Sequence, residues 1–165
     1  MKTLVSLFTL TVAALAQQPI TLMSQAQTGF NRTHDLVLKA AEKMPDDAFG
    51  FKPTPDVRSF GALVGHIAET NFFYCSSMKG EENPGKDIET KMTTKVELVK
   101  AMKDVKAYCG PIVNSMTAES IVSAGPRKLP GLGLVFNMSG HTWEHYGNMV
   151  TYMRLKGIVP PSSEK

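Results

Sequence analysis

His141 and His145 stand four residues apart in GHTWEHYGNMVTYMRLKG, residues 140–157. On a helix, side chains at that spacing have Cβ atoms about 5–6 Å from each other, so two ring nitrogens can converge on one ion at ~2.0–2.1 Å. Leu134, Met138, Met149 and Met153 recur on the same face, which directs both imidazoles toward the apolar side of the helix. A neutral imidazole carries an acceptor that must be satisfied away from water, and a divalent cation satisfies two such acceptors at once. Metal chemistry wants a third ligand. His66, in SFGALVGHIAET (59–70), supplies it if two helices face each other across a bundle, since bundle sites are built from facing helices.

Other chemistry-bearing residues are weighed against plainer roles. HTWEH, residues 141–145, matches the H-x-x-E-H pattern of inverted zincins, with Glu144 as the base. That pattern needs a downstream Glu ligand, and the only acid after His145 is Glu164, so the peptidase reading fails. Glu144 is then a solvated helix-surface acid, with ligand orientation or proton relay as its alternative role. His34 reads as a core histidine held by one hydrogen bond, with a place in the wall of the site as the alternative. Trp143 and Tyr146 read as packing or dimer-surface residues. Asn31 and Asn137 head N-x-S/T sequons, and both are read as chance because modification would conflict with helix packing.

Four helices must position these groups. Phe30, His34, Val37, Ala41 and Met44 share a stripe over 23–44, stopped by Pro45. Ser59 caps a second helix whose apolar positions are Phe60, Val64, Ile67, Tyr74 and Met78, ending at Gly80. Thr94 and Glu97 form a capping box before Leu98, Met102, Val105, Cys109, Ile112 and Met116, with Pro111 expected to kink this helix or end its regular part near Cys109. The last helix is expected over 134–156, closed by Gly157 and Pro160-Pro161. No stretch alternates like a half-buried strand over more than a few residues. The fold class is therefore all-α, an up-and-down-type four-helix bundle with long interhelix loops.

At 165 residues the chain supports one domain. Lys2, the apolar run 4–15 and Ala14-Leu15-Ala16 read as a cleaved export signal over 1–16, leaving a single domain over 17–165. The run is shorter than the ~20 residues needed to span a bilayer. The expected location is periplasmic or extracellular, with no membrane association after cleavage. The net charge of +3 is spread along the chain without a basic stripe, so a nucleic-acid partner is set aside. In an exported protein Cys75 and Cys109 are compatible with one disulfide, worth ~3 to 4 kcal/mol, or with two buried thiols packing as small hydrophobes.

SFGALVGHIAET (59–70) and HTWEHYGNMVTYMRLKGIVPPSS (141–163) together resemble the DinB family of metal-binding four-helix bundles, over about 23–163. In that family a histidine of the second helix and an HxxxH pair of the last helix hold a divalent ion. The resemblance implies His66, His141 and His145 as ligands, zinc or nickel as the metal, and a homodimer as the assembly. Related families include thiol transferases using mycothiol or bacillithiol, a maleylpyruvate isomerase and proteins described as metal-dependent hydrolases. The implied function is a metal-dependent hydrolase or thiol S-transferase acting on a small molecule through a metal-bound water or thiolate. The alternative is a non-catalytic metal-binding or carrier module. Copper would suit its methionines, Met138 and Met149 among them, although Met on a core stripe is more often a space-filler.

Overall fold

The computed structural model describes residues 20–124 and 127–164; the expected export signal lies outside them. No helix among the described residues is long and apolar enough to cross a membrane.

Helix α1 (Leu22–Lys43) begins at a capping box in which the Thr21 hydroxyl accepts the Ser24 N–H and the Ser24 hydroxyl accepts the Thr21 N–H. Its expected stripe is buried throughout. Helix α2 (Phe60–Lys79) starts at Ser59 and ends at Gly80, whose φ of 73° is the left-handed conformation that a side chain disfavours. After a short helix α3 (Ile88–Lys91), α4 (Lys95–Ser115) opens on the Thr94–Glu97 box. Of the two outcomes expected at Pro111, a kink or an end near Cys109, the end is corrected, because α4 continues through Pro111 to Ser115. The carbonyl that Pro111 leaves unpaired belongs to exposed Ala107, open to water, while buried Ile112 and Val113 hold the last turn to the core.

Strands β1 (Ile121–Ala124) and β2 (Arg127–Pro130) form an antiparallel hairpin with Val122 opposite Leu129. The alternation test misses them because each has only four residues. Helix α5 (Gly131–Leu155) begins three residues before the expected start, directly at the end of β2. Gly157, at φ 73°, closes it, with the Ile158 N–H donating to the Met153 carbonyl at 2.8 Å.

The four long helices form the expected all-α bundle. Each of α1 and α2 packs on both α4 and α5, leaving α1 and α2 diagonal to each other. Gln27, near the start of α1, donates to the carbonyls of Val113 and Met116 at the end of α4, so these two helices are antiparallel. By contrast α2 and α4 run the same way, with Leu98 against Gly61 and Gly65 at one end and a Cys75–Cys109 disulfide at the other. Since α2 is antiparallel to α5, the directions are up, down, down, up, which refines the up-and-down expectation. The physical cause is the connection over 80–94, long enough to return the chain along the bundle. The disulfide, with Cα atoms 5.5 Å apart, resolves the choice between a bridge and free thiols.

His34 is 1 % exposed but lacks the single hydrogen bond expected of it; its ring lies beside the Met102 backbone with neither nitrogen in a well-formed bond. Burial, then the nearby Lys106 charge, push its pKa down from 6.5 to about 4. The unfolded chain therefore takes this proton below pH ~6.5 and the folded chain only below about 4, so stability falls as pH drops through that window. The expected loss from His34 is about 3 kcal/mol between pH 7 and 4. Denaturant unfolding of wild type and His34→Leu across that range checks it: the difference between the two should grow with acidity, and parallel curves would count against it.

Asn137 is exposed on α5, so the packing objection to that sequon does not hold.

Candidate metal centre

The three histidines expected to meet do meet. His141 Nε2 lies 3.1 Å from His66 Nε2 and 3.1 Å from His145 Nε2, and the ligand atoms of all three lie within 4.8 Å of one another. Among the described residues this is the one cluster of histidine, cysteine or carboxylate groups with converging ligand atoms. Antiparallel packing of α2 on α5 brings the rings to one level, and the i, i+4 spacing on α5 stacks the pair.

The residues fit a divalent ion on three grounds. Metal–nitrogen bonds of ~2.0–2.1 Å put neighbouring nitrogens about 2.9 Å apart at a right angle and about 3.4 Å apart at the tetrahedral angle; the 3.1 Å from His141 to each of the other two lies between. The second ground is the proton count. His66 Nδ1 is 2.7 Å from the Glu89 carboxylate, so it carries the proton and leaves a lone pair on Nε2. A proton on His141 Nε2 serves only one of its two neighbours, so no set of neutral tautomers satisfies both contacts, whereas one cation accepts all three lone pairs. The third is charge. Burial, then the nearby charges of His145 and His66, push His141 down from 6.5 to about 4, and burial followed by His66 lowers His145 as well. Both rings are thus neutral ligands near neutral pH, as metal binding requires.

Residues not singled out in the sequence complete the surroundings. Glu89, on α3, also accepts Arg58 Nε at 2.7 Å, and its backbone N–H donates to Glu69 Oε2 at 3.0 Å. Burial opposes its charge, but the bonds from Arg58 and His66 outweigh it and hold the carboxyl below the usual carboxylate range. Gly65 lets α3 approach: a Cβ there would sit 3.1 Å from Glu89 Cα. The only signal in the sequence was the general need of a ligand histidine for a partner at its second nitrogen.

A cleft of about 500 Å³ adjoins His145, lined in part by Arg58, Glu144, Asn148 and Tyr152 as well. Glu144 is exposed, as expected of a surface acid, yet it faces this cleft. Trp143 is 39 % exposed with the Arg32 guanidinium 6.0 Å from its ring centre. Tyr146 is buried, and its hydroxyl accepts the Ser162 N–H at 3.0 Å, tying the C-terminal stretch to α5. Met138 and Met149 are core residues, Met138 with its sulfur 3.7 Å from Cys75 Sγ.

An all-α bundle with this three-histidine cluster defines a class that can hold a metal ion. Residues 30–149 match the DinB superfamily, and the chain belongs to it. It is similar to a DinB-like protein from Bacillus cereus ATCC 10987 at 15 % identity and a TM-score of 0.69, covering 84 % of this chain and 95 % of that one. A DinB-like protein from Bacillus subtilis is 23 % identical, with a TM-score of 0.64 over 81 % and 92 % of the two chains. The mycothiol-dependent maleylpyruvate isomerase shares the fold at 14 % identity and a TM-score of 0.62, over 77 % of this chain and 60 % of that one. No curated protein matches the chain.

Proposed function

We propose that this protein is an exported metal-dependent enzyme of the DinB type that holds zinc or nickel through His66, His141 and His145 and acts on a small molecule by hydrolysis or thiol transfer. The observation that carries this reading is the convergence of three imidazole Nε2 atoms, one of whose rings, His145, also lines an open cleft. When bound, the ion supplies a Lewis acid that lowers the pKa of a water or thiol at its open position. The chain supplies the rest. Arg58, Asn148 and Tyr152 offer polar groups that orient a ligand in the cleft, and Glu144 can take up or return a proton at its rim. The isomerase's dependence on a thiol supports a thiol co-substrate for this fold. The Cys75–Cys109 bridge supports export, because disulfides persist in oxidising compartments. Exposed Phe136 and Trp143 on α5 support a homodimer.

Titrating zinc and nickel into metal-free mature protein tests the first part, with about one equivalent per chain expected to bind and to raise the melting temperature. The loaded protein is then assayed for ester hydrolysis and for thiol transfer to electrophiles. Failure of either metal to bind at micromolar concentration would sink the proposal.

A further inference from the structure

The carboxylate beside His66 has more to do than hold two elements together. We propose that Glu89 is a positioning residue that fixes the tautomer and ring orientation of His66, and that Arg58 and α3 exist at this place to aim it. The proposal rests on the metal reading above.

His66 is the single ligand from α2, so nothing on its own helix constrains it as the i, i+4 pair constrains His141 and His145. Its restraint comes from outside. One Glu89 oxygen accepts the His66 Nδ1 proton at 2.7 Å, and the other accepts Arg58 Nε at 2.7 Å, so both oxygens are committed and the carboxylate cannot rotate without breaking one bond. The backbone is held as firmly: the Glu89 N–H donates to Glu69 Oε2 at 3.0 Å, from the same helix as His66 and one turn on. Arg58 is anchored in turn, because its carbonyl accepts the Tyr152 hydroxyl of α5 at 3.1 Å. Gly65, next to His66, lets the α3 backbone come close enough for this chain of contacts to close. A carboxylate that fixes Nδ1–H leaves the Nε2 lone pair free and makes it a better donor, and losing such a partner usually costs about 10- to 100-fold in metal affinity.

The test uses the mature protein and zinc alone. In the metal-free chain, nitrogen NMR of the His66 ring should show the proton on Nδ1 in wild type and a mixture of tautomers in Glu89→Ala. Zinc affinity, measured by chelator competition, should fall about 10- to 100-fold in Glu89→Ala and by less in Glu89→Gln, whose amide oxygen still accepts the Nδ1 proton. Arg58→Ala should weaken binding in the same direction. A wild-type ring protonated on Nε2, or a folded Glu89→Ala that binds zinc within twofold of wild type, would overturn the proposal. Should Glu89→Ala fail to fold, the wild-type tautomer and Glu89→Gln still decide it. Failure of the metal reading looks different: wild type itself takes up no zinc, whatever the tautomer.

Discussion

His141→Ala is expected to take zinc or nickel uptake from about one equivalent per chain to less than a tenth at micromolar metal. Of the three rings, His141 is the one whose Nε2 lies 3.1 Å from both others. Without it, His66 and His145 face each other across an empty corner, with two ligands in place of three. Binding energies of roughly 10–16 kcal/mol for four-ligand zinc sites imply about 3 kcal/mol or more per ligand, on the order of 100- to 1,000-fold in affinity. Loss of fold does not explain such a result, because His141 is partly exposed and its Nδ1 has no protein partner. The metal-free variant should melt within a few degrees of metal-free wild type. The rise in melting temperature that a tightly bound ligand produces, about 3 kcal/mol at a hundredfold excess over Kd, should be present in wild type and absent in the variant. Glu144→Gln is the matched control, since that exposed carboxylate is outside the histidine cluster. It should retain one equivalent. Full metal content in His141→Ala would remove the basis for the site.

The parts of this site that could be read from the chain were those written in period and spacing. His141 and His145 share a helix, so their geometry follows from four residues of sequence, and the Leu134-to-Met153 stripe gave their direction. His66 required one further assumption, that α2 faces α5, and the apolar stripes of both helices supported it. Capping residues were equally legible, because Ser59, Thr94 and Gly157 act through bonds to their own neighbours. Glu89 was not legible. It sits on a four-residue helix in a polar connection, where no periodicity exists to read, and its meeting with His66 depends on how the chain from Gly80 to Thr94 returns along the bundle. The same return sets α2 and α4 in one direction, a property of loop length and packing that no single residue announces. His34 shows the opposite limit: its burial was plain from the stripe at 30, 37, 41 and 44, but its lack of a hydrogen-bonding partner depends on what α4 presents to it.

Replacing both bridging cysteines, Cys75→Ala with Cys109→Ala, is expected to destabilise the protein by about 4 kcal/mol. The bridge closes a loop of 34 residues, and the chain-entropy relation for a loop of that size gives about 4 kcal/mol at 25 °C. For a domain of this length that corresponds to a fall of roughly 8–16 °C in melting temperature. Both cysteines are fully buried between α2 and α4, with Met138 and the Asn71 carbonyl against the sulfurs, so lost packing adds to the entropic effect. The tie joins two parallel helices, of which only α2 carries a metal-ligand candidate. His66 stands nine residues before Cys75 on that helix, and its orientation is set by Glu89 rather than by α4. Zinc affinity at 25 °C should therefore stay within about threefold of wild type while the melting temperature drops. That combination assigns the disulfide to the unfolded state, whose freedom it restricts, and separates it from the site. A double variant that melts within 2 °C of wild type would show that the bridge contributes little, and one that also loses zinc would show that α4 helps to aim His66.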